Sequence, residues 1–447
     1  MPYELDVEIF GGLILSPHNR YRPFIGSVGI SGENIKYVCE SRRDVSAKTQ
    51  VDASGKIVMP GLINGHCHGD MTLARGLGDD LTLGEQNKAF EGNGWFYRYI
   101  TDEDRYFSRQ LAYCEALRFG TTFILENMYW GLGQDSVKAM AQTGIKGGLA
   151  QDIRPDFAKP DNLMHERTLR DFAEDCRSHG IVPIIGSVSE EDFEPERLQR
   201  ISSLASSFGL MQTFHMSETQ WRQAIVLEKY QGTSATLLKK WGVLSDNMIC
   251  SHAVYVSEDE IKLMADAGVK VVNTPLCEMK IADGIAPIPG YLRAGVSVGL
   301  GTDGAMWNNS NDIFREMKGM VLLHTINSGI RTLSAHDVLD MATIKGAAVF
   351  GQEGRVGSLE PGKSADIILI DATGPHMTPL RLGRYENVAS SVVFNATGAD
   401  VTDVFVNGRH VVSGGELKTV DFAAIASRVT QTSERLASKL CEEGWER

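Results

Sequence analysis

Long apolar runs, basic charge and paired cysteines are all scarce in this chain, and each scarcity removes a class of function. No window of the 447 residues approaches the roughly 20 consecutive apolar residues of a membrane-spanning helix, which excludes a helical membrane protein. The opening, MPYELDVEIF, carries acidic residues where a secretory signal has a basic flank and an apolar core, so the expectation is a cytoplasmic protein with no membrane partner. Lys and Arg number 44 against 57 Asp and Glu, and the net charge of −13 argues against nucleic acid as a partner. Seven cysteines, an odd number scattered without C-x-x-C spacing, argue against a disulfide framework and fit reduced thiols. What remains is an ordinary globular composition, 43% hydrophobic and 23% charged, in a chain long enough for one large domain and a smaller one.

Residues 1–59 hold short β-like runs (7–15, 27–30 and 35–40) separated by Gly, Ser, Pro and Asn. Similar text returns after Gly357 in SLEPGKSADIILIDA and VTDVFVNGRHVVSGG, where Asn407-Gly408 is a strong hairpin signal. These segments predict a small β-sandwich domain assembled from both termini, residues 1–59 and 357–420. Residues 421–447 are expected to pack on the body as a C-terminal helix, because apolar residues recur at helical spacing there. In residues 60–356 short apolar runs (61–66, 121–126, 145–151, 181–186, 211–215, 248–252, 269–273 and 296–301) alternate with amphipathic stretches such as 104–118, 195–207 and 257–267. That alternation predicts an α/β fold, a (β/α)8 TIM barrel in preference to a doubly wound open sheet.

Polar residues at the run ends favour the barrel, whose chemistry sits at the C-terminal ends of its strands. His66 and His68 close the first run, His215 the fifth, His252 the sixth, and Asp303 follows the eighth. Residues i and i+2 of a strand share a face, so His66 and His68 converge while Cys67 points away. Imidazoles and a carboxylate gathered on one rim suit a single divalent cation, Zn²⁺ before Fe²⁺. One histidine alone is ordinarily a hydrogen-bonded core residue; four with an aspartate, all at run ends, are not explained that way.

The stretches PGLINGHCHGDMTLARGLGDDL, FHMSET, SHAVY and NTPLCEMKIADGIAPIPGYLRAGVSVGLGTDGAMWNNSNDIFREM resemble the amidohydrolase superfamily, and within it the mononuclear-metal deaminase and chlorohydrolase branch. The resemblance runs on through GRVGSLEPGKSADIILID and so covers most of the chain. It implies that His66, His68, His215 and Asp303 ligate the metal, that Glu218 shuttles protons, and that His252 contacts the attacking water, with Asp303 taking the water proton. Binuclear relatives carry a modified lysine at the end of the fourth strand; the text there is IIGSVSEE, which argues for one metal. A cation of this kind lowers the pKa of a bound water toward neutrality, giving hydroxide as nucleophile. Relatives are commonly homodimers or larger, so a homo-oligomer is expected.

Departures from the family pattern bear on the substrate. Nucleoside-deaminating relatives resemble HxHxPMTLLRG…EEWL, where this chain has Asp70 for the proline and Gln86-Asn87 at the tryptophan. Their GPHS run reads Gly186-Ser187-Val188-Ser189, and an arginine after their third strand aligns with Gln151. The family's P-x-S-N-M-K reads Pro275-Leu276-Cys277-Glu278-Met279-Lys280, which puts a carboxylate at the expected pocket mouth. Asp70 and Glu278 suggest an amino-rich heterocycle, with Trp95, Tyr97, Trp130 and Trp307 placed to stack on a flat ring. The reading is therefore a hydrolase releasing ammonia from an amino-substituted N-heterocycle such as an aminotriazine, guanine or a pterin. Behind it stand a triazine-type chlorohydrolase or alkylaminohydrolase and an amidine hydrolase. Deamination of adenosine, methylthioadenosine or adenosylhomocysteine ranks lower, and a non-catalytic scaffold last.

Overall fold

The computed structural model describes residues 4–40, 46–92, 94–127, 133–152 and 166–445. Eight parallel strands run in consecutive spatial order: Leu62–Cys67, Thr121–Asn127, Lys146–Asp152, Val182–Val188, Met211–Met216, Met248–His252, Lys270–Asn273 and Val298–Leu300. Each falls on one of the apolar runs, because a strand covered on both faces needs continuous apolar text rather than alternation. The ring closes where the His66 carbonyl accepts from Thr302 N (3.0 Å) and Asp303 N (2.9 Å). Glycine permits that approach: a β-carbon on Gly65 would stand 2.9 Å from the Val272 side chain, and one on Gly301 2.8 Å from that of His66. The lumen is filled by Ile63, Phe123, Leu125, Ile184, Ile249 and Val272, so the barrel is a packed core with its chemistry confined to the rim.

Helices return the chain between strands, and local signals set their ends. Thr101 caps Asp102–Arg118 in a reciprocal capping box with Asp104, and Ser257 caps Glu258–Asp266 the same way with Glu260. Pro195 opens Pro195–Phe208, which stops on a left-handed Gly209.

The termini build a separate nine-stranded sheet, joined where Lys56–Pro60 pairs antiparallel with Ile367–Asp371. Asn407 and Gly408, both at positive φ, form the predicted hairpin turn between Val401–Val406 and Arg409–Ser413. That turn lies against Gly32, and the sheet curls over one core of Ile9, Val28, Ile30, Ile35, Ile367 and Phe405. The last helix, Phe422–Glu442, packs on Asp102–Arg118, with Arg435 on Asp104 at 2.6 Å. No helix among the described residues is long and apolar enough to cross a membrane.

Candidate metal centre and active site

The ends of the first, fifth and sixth strands (His66, His215, His252), the residue just past the first (His68) and the loop after the eighth (Asp303) deliver five titratable side chains to one point. In the ladder His215 stands opposite Ser251, so His252 lies one step nearer the mouth. Ser217 (φ 53°), His252 (φ 68°) and Asp303 (φ 62°) adopt left-handed backbone, an uncommon conformation for these residues, as the chain turns out of each strand. The rings of His66, His68, His215 and His252 lie 4.8–5.4 Å apart, all buried. Asp303 Oδ1 faces His66 Nε2 (3.4 Å) and His68 Nε2 (3.3 Å), and His68 Nε2 lies 3.2 Å from His215 Nε2. Ligand atoms of His66, His68 and Asp303, and of His66, His215 and His252, fall within 4.8 Å of one another.

The outward ring edges are held by residues that the sequence reading missed. Asn127 O accepts from His68 Nδ1 at 2.8 Å, which leaves the Nε2 lone pair free to ligate. Asn127 and Ser251 both hold the Nδ1 edge of His66 at 2.8 Å. Their signal was present, since each is a polar residue ending an apolar run (ILEN, CSH). Inward, His66 Nε2 and Asp303 Oδ1 are buried with no hydrogen-bond partner among the described residues, as is His252 Nε2. Convergent orphan atoms of this kind fit a divalent cation.

Electrostatics agree with that fit. Burial pushes His66 down to about 3 despite Asp303, and lowers His68 and His215, so these imidazoles are neutral with lone pairs available. Burial would raise Asp303, but His66 and His68 outweigh it and hold the carboxyl well below the usual range. For His252 burial is outweighed by Glu218, Glu278 and Asp303, which push it up to about 9. Cys277 donates to Asp303 Oδ2 at 2.9 Å, and burial pushes its thiol well up, so it acts as a donor with no nucleophilic character. Cys67 turns away to Asn311, as strand alternation requires.

Glu218 sits in the turn between the fifth strand and the helix Gln220–Tyr230. Thr219 is that helix's cap, accepting from Arg222 N, so the Glu218 carboxylate is not used for capping. Glu218 pairs closely with Arg222 and lies 3.8 Å from His252 Nε2. Glu190 braces the turn by accepting from Ser217 N at 2.6 Å. Burial and the neighbouring Glu218 push Asp283 up to about 9.

The expected substrate contacts divide. Trp307 lines the cavity with His68, His215, Glu218, Asp303, Leu83 and Arg222, its ring 5.4 Å from that of His68. That cavity is only about 20 Å³, room for a water and not for a ring. The others lie off this lining. Asp70 is drawn to Arg109 (3.2 Å) and Tyr97 (3.1 Å), in a buried network where Arg109 also binds Glu126 at 2.6 Å. Gln86, expected at the substrate, donates instead to the Gly78 and Leu81 carbonyls (3.0 Å each). Trp95 donates to Glu443 at 2.6 Å and so anchors the last helix. Gln151 donates to the Asp152 carbonyl at 2.8 Å. Glu278 faces inward, bound to Asn273 and Thr274; Lys280 pairs instead with Asp79 at 2.7 Å. Trp130 lies outside the described residues.

Comparison with known proteins gives the geometry its family. The amidohydrolase family model matches residues 57–411. The 5-methylthioadenosine/S-adenosylhomocysteine deaminase of Moorella thermoacetica is 32% identical over 418 residues, 91% of this chain and 94% of that protein. Among solved structures, a zinc-bound adenosine deaminase from Xanthomonas campestris superposes with a TM-score of 0.90 at 26% identity, covering 98% of this chain and all of that one. Atrazine chlorohydrolase from Arthrobacter aurescens, complexed with zinc, shares the fold with a TM-score of 0.86 at 22% identity over 96% of this chain and 100% of its own. With a matching family model over most of its length, and the histidine-rich rim where such a barrel keeps its chemistry, the chain belongs to the amidohydrolase family.

Proposed function

We propose that the protein is a single-metal deaminase that hydrolyses the exocyclic C–N bond of an amino-substituted N-heterocycle and releases ammonia. The observation that carries this is the convergence of orphaned His66 Nε2 and Asp303 Oδ1 with the Nε2 atoms of His68 and His215. His66, His68, His215 and Asp303 would hold the cation, and the zinc-bound neighbours favour Zn²⁺ over Fe²⁺. The fourth strand offers Gly186, Ser187 and Val188 where a second metal would need a lysine, which supports one metal.

A divalent cation there supplies an acidified water at neutral pH. Asp303 takes the proton from the attacking water, and Cys277 on its other oxygen keeps the carboxylate oriented. His252 Nε2 hydrogen-bonds the attacking oxygen and holds it in line. Glu218, which lines the same cavity, protonates the ring nitrogen as the tetrahedral carbon forms; on collapse the proton held by Asp303 passes to the leaving amine and the hydroxyl proton returns to Glu218. Trp307 walls the ring.

Glu278 and Asp70, the carboxylates that suggest an amino-rich ring, are both bound to protein partners away from the cavity. The Moorella relative's name brings the aminopurine ring forward as the group attacked. The departures at Asp70, Gln86, Gln151 and Val188 concern what is attached to that ring, and they support recognition unlike that of the nucleoside relatives. The seven free cysteines support a reducing, cytoplasmic setting. An ammonia-release screen of the zinc-loaded protein across adenosine, 5′-methylthioadenosine, guanine, pterin and melamine tests the proposal. Ammonia from an aminopurine supports it; halide release from a chlorotriazine without ammonia from any amine overturns it.

A further inference from the structure

Glu278 is one of two residues, with Cys277, where this chain departs from the family's P-x-S-N-M-K, and its surroundings give that departure a purpose. It is buried at the start of the short helix Pro275–Lys280, 1% exposed, and its carboxylate is fixed from three directions. Asn273 Nδ2 donates to both oxygens (2.6 and 2.8 Å), while Thr274 N and Thr274 Oγ1 each lie 3.3 Å from Oε1. On the far side of Thr274 stands His252, with Nδ1 3.1 Å from Thr274 Oγ1 and 3.6 Å from Glu278 Oε1. All three side chains are closed to solvent.

A hydroxyl has one proton and a carboxylate accepts only. If Thr274 donates to Glu278, its remaining lone pairs can serve His252 only by accepting, so Nδ1 of His252 must carry a proton. The direct contact from Glu278 imposes the same polarity. An amide at this position, as in the family pattern, offers donor and acceptor alike and imposes no choice. His252 needs such a constraint, because it sits at a left-handed strand end with an Nε2 that has no partner among the described residues. We propose that Glu278 is a positioning residue that, through Thr274, locks the Nδ1 edge of His252 as a donor and thereby presents Nε2 to the attacking oxygen. The role given to Nε2 rests on the deaminase reading; the lock on Nδ1 does not.

The test is Glu278→Gln in the zinc-loaded protein, read by ¹⁵N NMR of His252 and by steady-state kinetics. A glutamine offers one acceptor oxygen where Glu278 offers two, so Asn273 Nδ2, Thr274 N and the Thr274 hydroxyl compete for it and the hydroxyl is released to donate to Nδ1. The expected result is a His252 whose Nδ1 is no longer held protonated, and kcat lower by about 10- to 100-fold, with KM, zinc content and Tm little changed. Thr274→Val, which removes the hydroxyl without touching a charge, should relax the same tautomer preference with a smaller loss in kcat, and it decides the matter if the glutamine variant does not fold. An unchanged His252 tautomer in the folded variants overturns the proposal, whether or not kcat falls, since Glu278 would then only tie down the strand end. Should the wild type release no ammonia from any heterocycle, the deaminase reading fails, while the NMR comparison still decides the role of Glu278.

Discussion

The rim of the barrel and the segment that covers it, residues 69–99, both bury polar side chains, but they use them in opposite ways. On the rim the inward atoms of His66, His252 and Asp303 lack hydrogen-bond partners among the described residues and gather in clusters whose members lie within 4.8 Å of one another. In the covering segment Asp70 is bound to Arg109 and Tyr97, Gln86 to two carbonyls, and Trp95 to Glu443. One oxygen of Asp70 and one of Gln86 also lack partners, but each stands alone. A buried polar atom without a partner is therefore weak evidence for chemistry; convergence of several is strong evidence.

The sharpest way to break this contrast is at Asp303. Asp303→Asn should lower kcat/KM by at least about 10³-fold and reduce bound zinc, since it removes both a ligand and the acceptor of the water proton. Retained activity with retained zinc would place the chemistry elsewhere. Glu218→Gln should lower kcat by about 10²- to 10⁴-fold while leaving zinc bound, which separates proton transfer from metal binding. Steady-state kinetics beside metal analysis distinguishes the two.

On the covering side the effects should move from activity to stability. Arg109→Met strands Asp70 and Glu126 as buried carboxylates, so denaturant unfolding should show a loss of about 3–5 kcal/mol with zinc content preserved. If zinc is lost before stability, the network belongs to the site after all. Trp95→Phe removes one hydrogen bond to Glu443 and should cost about 1 kcal/mol, with kcat/KM unchanged.

The smallest effect is expected in the end sheet, far from both regions. Burial would raise Asp403, but bonds from His410, Lys56 and Thr402 outweigh it and hold the carboxyl low. A folded-state pKa below the unfolded one stabilises at neutral pH, and this contribution is lost as pH falls through the unfolded value of about 4 toward the folded one. Asp403→Asn should flatten the acid limb of the stability profile over that window; an unchanged limb would show that Asp403 does not contribute to it.

How much of this was legible in the sequence follows from the range of each interaction. The eight strands coincide with the apolar runs because burial on both faces is a local requirement written into each segment. His66, His68, His215, His252 and Asp303 were legible because a barrel brings every strand end to one rim, so sequence position alone implied proximity. Asp70 was misread because its partner Arg109 lies 39 residues away on the helix Asp102–Arg118. Trp95 was misread for a stronger reason, since Glu443 is 348 residues on. Glu278 was correctly singled out as a departure but given the wrong neighbour, because the sequence does not say which way a short helix after a strand turns its first carboxylate.

The most direct test of the central claim is the zinc stoichiometry of the metal-reconstituted protein and its His66→Ala variant, measured by elemental analysis after gel filtration. About one equivalent per chain in the wild type, and far less in the variant, is the result this site predicts. Two equivalents, or one equivalent unaffected by loss of His66, would contradict it.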